Sequence, residues 1–556
     1  MALFLLLFAN SVWAAEYFID ISGAGTGSKN GANVSNQCAG MADADCAESG
    51  GNTYYICNVG ASGTDIDVPA EGSSGSPIVY DFSCPGGTPE SLTSGRVVGT
   101  GFDYWEVRSA TINGSDSGQS AIACFVCETS KGGSCSSREG TCAGFKAVGN
   151  TIINAGKHGI EIGTVSNQTS YGQTTGVEIT GNRVTNPAAA GISMNANMVS
   201  PDEGENTVIG ANAGSLNLWG IYTSPRAYNY SNGASWVTAG FTCAGGSLTQ
   251  YKVTLGGGDL TDIGANEVVT QVIVSGVATG HYATQSAAAC NPGSGLGLRR
   301  FCQDGSVLHV CGTELNPPTD NDVVIVTSDY GPVTIGRGDN VSGTLNAGGT
   351  QDGVGIGSDI GAKNVTIERA YSHENEGRGV EFNMCSTGCV ARSNIAQNNG
   401  TYGFLANNLA NATDVVSWYN NVSFGNGSEP FRISNAASAA TQAYNNIAIG
   451  TGSQNCVNVA VGGGEGGNHY LNCTATYFPT AITGNPQFNS GVSLDAADDF
   501  IPLNSALKRA GTFVGTYQDL NDCAFATPPS IGAFEMECAK RTVFSRTGVN
   551  RTPINR

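Results

Sequence analysis

The chain has 556 residues, of which only 13% are charged and 79 are glycine, with a formal net charge of -20. That composition, also rich in Asn, Ser and Thr, disfavours helices and suits strands and turns. The excess of 45 acidic over 25 basic side chains excludes a nucleic-acid partner and repels an acidic polysaccharide, unless calcium or a local basic patch intervenes.

Taken in chain order, residues 1–14 read as a signal peptide. An apolar run from Ala2 to Phe8 is followed by Val12-Trp13-Ala14, a small-residue cleavage pattern. A secreted, extracellular or cell-surface location is therefore expected. No later apolar run approaches the roughly 18 residues of a membrane-spanning helix, so no transmembrane segment is expected. The 18 cysteines, an even number in an exported chain, favour disulfides. Disulfides are also preferred over zinc for the group Cys124, Cys127, Cys135 and Cys142. Sequons occur at Asn33, Asn364, Asn411 and Asn421.

Residues 15–198 carry an N-terminal cap and the first members of a repeat. GNTIINAGKHGIEI (149–162) and GNRVTNPAAAGISM (181–194) share a pattern with SNIAQNNGTYGFLA (393–406), NNVSFGNGSEPFRI (420–433) and NNIAIGTGSQNCVNV (445–459). In each, an Asn and a mostly β-branched pair precede a short strand of the form Gly-apolar-x-apolar. ERAYSHENEGRGVEF (368–382) follows the same spacing with Arg369 in the Asn slot, and positions 369, 394, 421 and 446 step by 25, 27 and 25 residues. Steps of that size carrying strands mark the coils of a parallel β-helix. Alternation sends Ile160, Ile162, Val380 and Phe382 into the bore, and Glu161 and Glu381 outward. The recurring Asn suits an internal ladder of stacked amides.

The coil pattern breaks over 199–321, a strand-rich insertion with Gly turns. Main coils follow over 322–461, and C-terminal coils with a closing segment over 462–535. Residues 536–556 turn basic and aperiodic and read as a disordered tail, except that Cys538 is a candidate partner for Cys523.

These blocks resemble the secreted right-handed parallel β-helix proteins of the pectate-lyase-like superfamily. YFIDISGAGTGSKNG (17–31) is similar to their opening strand and turn, and 51–86 to their first coil and cap. GNPQFNS (484–490), DDFIPLNSALKRAG (498–511) and PPSIGAFE (528–535) are similar to their closing segment. The resemblance implies an all-β right-handed parallel β-helix, an inserted small β-sandwich-like segment, and a carbohydrate-facing role. The insertion would then be either one wall of a binding groove or an added edge. The family's catalytic signatures are not matched. QDGVGIGSD has one Asp where polygalacturonases have two, and GRGVEF has Arg where they have His. The clustered aspartates and Lys of calcium pectate lyases and the Asp-Pro-His of alginate epimerases are missing too.

Stacking brings equivalent residues of successive coils about 4.8 Å apart. The residue before the slot glycine is successively His158, Ala190, Asp352, Arg378, Tyr402, Glu429 and Asn455. The outward strand position is Glu161, Ser193, Gly355, Glu381, Leu405, Arg432 and Asn458. Asp352, Arg378, Tyr402 and Glu381 are therefore expected to converge, with His373, Glu374 and Glu376 on the preceding turn and Glu429 and Arg432 as substrate-binding neighbours.

Two chemistries fit that set. In a polysaccharide lyase, Asp352, Glu374 and Glu381 hold calcium, Arg378 or His373 takes the C5 proton of a uronic acid, and Tyr402 moves a proton. In an inverting glycosidase, Asp352 and Glu381 serve as acid and base. Lyase chemistry on a uronic-acid-containing polysaccharide is favoured. The alternative is a non-catalytic glycan-binding, adhesion or surface protein, in which the charges merely stabilise the ladder. Glu161 is set aside because its coil neighbours Ala190 and Ser193 are inert.

Overall fold

The computed structural model describes residues 15–536 except 23–25, 28–30, 40–45, 47–48, 59–64, 90, 116, 128–139, 165–173, 196–197, 211–218, 224–227, 231–236, 245–247, 256–267, 275–280, 291–295, 313–322, 328–331, 346–352, 359–362, 384, 386–387, 408–415, 434–440, 459–463, 475–481 and 489–495. The signal-peptide segment, Asp352, Asn411, Cys538 and the basic tail from 537 onward lie outside the described residues.

Three parallel sheets enclose one bore. Each coil visits them in turn, as in Lys146–Val148, Thr151–Ile153 and Ile160–Thr164. The first sheet runs in 7 strands from Glu16–Asp20 to Asp202–Gly204 and resumes in 6 from Val333–Ile335 to Gly464–Gly466. A parallel bridge between Gly204 and Arg337 joins the two runs. The second sheet has 12 strands and the third has 11. Pairing is parallel and in register between successive coils, for example Ile160 with Ile192 and Ile356 with Val380. This is the parallel β-helix that the repeat predicts. Ile160, Ile162, Val380 and Phe382 are all buried in the bore.

The slot glycines stack because adjacent backbones leave no room for a side chain. A Cβ on Gly159 would sit 2.6 Å from the Gly191 carbonyl oxygen, and one on Gly379 would sit 2.8 Å from that of Gly403. Beside them run the expected amides. Asn150 Nδ2 donates to Asn182 Oδ1 at 2.9 Å, and Asn182 Nδ2 to Asn206 Oδ1 at 3.0 Å. In the later coils the chain Asn394, Asn421, Asn446, Asn468 repeats this with links of 3.0 to 3.1 Å. Each Oδ1 also accepts the backbone N–H of the preceding ladder residue, so the amide satisfies donors that the tight turn orphans. Asn421 is fully buried in this ladder, so its sequon is not an exposed acceptor.

One register expectation needs correction. Tyr371 pairs with Ile395, so Ala370, and not Arg369, occupies the ladder slot opposite Asn394. Arg369 stands one residue earlier at φ 57°, in the column of Ser393, Asn420 and Asn445 at 56°, 52° and 61°. It takes the left-handed turn position and reaches outward to Asp522.

The tube also continues beyond residue 199. Asp202–Gly204, Thr207–Ile209 and Trp219–Thr223 form a complete coil before the chain departs. An 8-stranded sheet, mostly antiparallel, then spans Tyr228–Tyr230 to Val323–Thr327. When the chain returns, Ile221 pairs directly with Ile356. At this seam Asp339 takes the ladder position after Asn206, its Oδ1 accepting the Asn206 N–H at 2.7 Å. Glu203 occupies the inward position that Ala147 and Ile179 fill in earlier coils. Its Oε1 accepts from Asn206 Nδ2 at 2.9 Å and its Oε2 from the Gly336 N–H at 2.8 Å.

The outer face of the second sheet is covered. Tyr371, Ile395, Val422, Ile447 and Ile449 pack with Phe500, Leu507, Ile531, Ala533 and Phe534 of the closing segment into a second core. The outer face of the first sheet is laced by ion pairs, among them Lys146 to Glu178 at 2.6 Å and Arg392 to Glu368 at 2.5 Å.

Disulfides join Cys38 to Cys46, Cys57 to Cys84, Cys124 to Cys142, Cys243 to Cys311, Cys290 to Cys302, Cys385 to Cys389 and Cys456 to Cys473. Cys127 and Cys523 are disulfide-bonded as well. Cys124, Cys127 and Cys142 are thus bridged, as expected, while Cys135 lies outside the described residues.

Candidate functional site

The outer face of the third sheet carries further ionisable and aromatic side chains. Its register runs Glu161, Ser193, Tyr222, Gly357, Glu381, Leu405, Arg432. Two positions differ from the spacing argument. Gly357, and not Gly355, lies beside Glu381. Gly355, and not Gly353, is the slot glycine: a Cβ placed on it would meet the Gly379 carbonyl oxygen at 2.8 Å. The column before the glycine therefore reads His158, Ala190, Trp219, Val354, Arg378, Tyr402 and Glu429. Val354 stands where Asp352 was expected.

Arg378 and Glu381 do come together, as an ion pair between Nη1 and Oε2. The pair is buried, with Arg378 5% and Glu381 1% exposed. Removing one partner from such a pair leaves an uncompensated buried charge. Next to it the Arg432 guanidinium lies 5.0 Å from the centre of the Tyr402 ring and 3.5 Å from Glu429. Arg432, with its side chain 33% exposed, remains within reach of solvent.

His373 and Glu374 are placed elsewhere. His373 lies on the second sheet, stacked on Tyr371 with ring centroids 4.3 Å apart, and its Nε2 is 3.0 Å from Asn340 Oδ1. Glu374 is exposed beside it, with Oε2 3.7 Å from His373 Nδ1. Asn375, one residue on, turns into the bore and bonds Asn399 at 2.9 Å, so the chain passes from one sheet to the next between His373 and Arg378. Burial lowers the His373 pKa, opposed by Glu374. Of the expected calcium set, Glu374 lies beside His373, Glu381 pairs with Arg378, and Asp352 lies outside the described residues; among the described residues no group of three or more His, Cys, Asp or Glu is placed to hold a metal ion.

A second cluster, which sequence reasoning passed over, lies three to four coils away on the same face. Glu161 is buried, and its Oε1 accepts from Lys157 Nζ at 2.8 Å, while Ser120 Oγ donates to its Oε2. The Ala190 N–H donates to His158 Nδ1 at 3.1 Å, which assigns the ring proton to Nε2, 3.8 Å from Glu161 Oε1. Burial pushes the His158 pKa down to about 4, with Glu161 opposing and Lys157 assisting. Two coils on, Tyr222 stacks 5.5 Å from Trp219 and lies 6.3 Å from His158. Its hydroxyl accepts from Asn195 Nδ2 at 2.8 Å.

Ala190 and Ser193, set aside as inert, are what allow this. Their small, buried side chains lie between Lys157 and Glu161 on one side and Trp219 and Tyr222 on the other. The available signal was WGIYT (219–223), a strand with the slot glycine and following Ile of the repeat and Thr223 in its last inward position, within the segment assigned to the insertion.

No protein-family model matches the sequence, and no curated protein matches it either. Among solved structures, a pectate lyase, Pel9A, is similar over 94% of this chain and 96% of its own at 13% identity, with a TM-score of 0.39. A rhamnogalacturonan lyase is similar over 86% and 91% at 12% identity, with a TM-score of 0.31. A lacto-N-biosidase from Eubacterium ramulus is similar over 83% and 67% at 9% identity, with a TM-score of 0.35.

Proposed function

We propose that the protein is an exported carbohydrate-active enzyme that lays a linear polysaccharide along the outer face of the third sheet and cleaves it by β-elimination beside a uronic-acid carboxylate. One observation supports this above others. Among the described residues, the second sheet's face is covered by the closing segment and the first is laced by ion pairs. The third instead presents part-exposed aromatic rings, Trp219, Tyr222 and Tyr402, interleaved with the cations Lys157 and Arg432. Such a strip suits sugar rings, which need flat apolar faces, with fixed charge for their carboxylates.

In this reading Arg432, steadied by Glu429, neutralises the uronate carboxylate. Tyr402, entering as the phenolate, takes the C5 proton to become the phenol, the C5–H electrons form the C4–C5 double bond, and the C4–O bond breaks. The leaving oxygen then receives a proton from Tyr402. Arg378 serves as a positioning residue, because its guanidinium is engaged by Glu381 beneath the surface.

That same engagement favours a second reading, non-catalytic glycan binding, since a buried ion pair stabilises a sheet face without any substrate. Incubation with polygalacturonate, alginate and glycosaminoglycans, with and without calcium, distinguishes the two. Growth of the unsaturated sugar's ultraviolet absorbance indicates elimination, and new reducing ends without it indicate hydrolysis. Binding without either product indicates the non-catalytic role.

A further inference from the structure

We propose that the notch bounded by Lys157, Glu161, Trp219 and Tyr222 is a binding subsite for an anionic sugar unit, separate from the group around Tyr402. It rests on the reading that the third-sheet face carries a polysaccharide. Tyr222 belongs to the coil of Trp219–Thr223, and register steps through Gly357 and Glu381 to Leu405, the coil of Tyr402. Three steps span about 14 Å at the usual strand spacing. A chain lying along the tube axis would meet both groups a few sugar units apart.

The notch has the parts such a unit needs. Lys157, with its side chain 42% exposed, presents a cation at the rim, and its Nζ is fixed by the buried Glu161 carboxylate rather than waving in solvent. Ser120 occupies the second oxygen of Glu161, so this carboxylate is committed on both sides. It acts on Lys157 as a positioning group and does not itself face a ligand. Neutral His158 backs the site and adds no competing charge at ordinary pH.

On the opposite wall Trp219 lies over Gly357, where a Cβ would meet its ring at 2.5 Å, so the indole is held flat across the coil. Asn195 gives its amide hydrogens to Ser193 Oγ at 3.0 Å and to the Tyr222 oxygen at 2.8 Å. A fixed cation beside an aromatic ring recognises a carboxylated sugar in preference to a neutral one.

Calorimetric titration of the intact protein with oligogalacturonates and oligoalginates, against a neutral cello-oligosaccharide, tests this without turnover. Lys157→Met, which keeps the aliphatic stem, is expected to weaken uronate binding tenfold or more and to flatten its salt dependence, leaving the neutral ligand unchanged. Trp219→Ala is expected to weaken both. In cleavage assays Lys157→Met should raise KM on long chains with kcat preserved.

Native-like uronate affinity in Lys157→Met overturns the subsite, as does a native protein that binds no uronate oligosaccharide. A collapse of kcat at unchanged KM overturns it too, because the notch would then be the reacting centre. Uronate binding that depends on Lys157 with no cleavage of any polymer upholds the subsite and removes the lyase reading alone. Cleavage that is indifferent to Lys157 does the reverse.

Discussion

The buried carboxyls at the seam give a prediction that can be worked from the structure. Glu203 and Asp339 are fully buried, share Asn206 as a donor, and bond to each other, which requires one proton shared between the two carboxyls. Burial pushes the Asp339 pKa up to about 6 from an ordinary 3.8, opposed by its bonds to Glu203 and Asn206. Burial and the neighbouring Asp339 push the Glu203 pKa well up too. An acid whose pKa is raised on folding binds its proton more tightly in the native state. Its penalty is absent below the unfolded pKa and complete above the folded one. For Asp339 the shift of about two units corresponds to about 3 kcal/mol lost as pH rises from about 4 to above 6.

Asp339→Asn keeps the Oδ1 acceptor and supplies a permanent N–H donor toward Glu203. Urea denaturation midpoints at a series of pH values should coincide for native and variant proteins near pH 4. They should diverge in the variant's favour by about 3 kcal/mol above pH 6 to 7. A difference that does not change with pH, or a variant less stable at neutral pH, would refute the shared-proton account of this pair.

Other expectations follow from the same geometry. Glu381→Gln alone should cost about 3–5 kcal/mol by leaving Arg378 buried without its counter-charge, while the double change Arg378→Met with Glu381→Leu should recover most of that; thermal melts of the two variants and the native protein check it. Asn421→Ala orphans the Asn394 N–H and the Ala391 carbonyl in the ladder, and at about 1–3 kcal/mol for each unsatisfied group should be among the most destabilising single changes in the tube. Gly379→Ala drives a methyl to within 2.7 Å of the Ala396 Cβ, so a loss of about 1–3 kcal/mol is expected in the same assay. The His158 ring should remain neutral, with its proton on Nε2, down to about pH 4 in an NMR titration. Tyr222→Ala, by admitting water, should move its midpoint upward.

The coils were legible because two contacts impose residue types at fixed intervals. The closely approaching backbones demand glycine at 159, 191, 379 and 403, and the orphaned turn N–H groups demand an amide at 150, 182, 394, 421 and 446. Alternation within the strands then assigned Ile160 and Phe382 to the bore. Where the pattern offers two glycines at the same parity, sequence alone cannot choose. Gly353 and Gly355 are such a pair, and the choice shifted Asp352 into a column that Val354 holds.

Arg369 was misplaced by one because Ala370 breaks the ladder and left no amide to count from. The site was less legible because exposure depends on neighbours from other coils. Arg378 and Glu381 were expected to face a ligand and instead pair beneath the surface. Ala190 and Ser193 were taken as empty positions, although small side chains let Tyr222 approach His158. Their value appears only when the coil of Trp219 is set beside them.

The departure of the chain between consecutive coils bears on how the molecule assembles. Ordinary ladder contacts close loops of 22 to 32 residues, whereas the bond from Asn206 to Asp339 closes 133. By polymer scaling this single closure is entropically dearer by about 1.5 kcal/mol. The amino-terminal and carboxyl-terminal stacks can each nucleate and zip on short-range contacts, with their docking as the late event in folding. Mechanical pulling or limited proteolysis should accordingly part the molecule first at this joint, releasing two rods that each retain their own stacking.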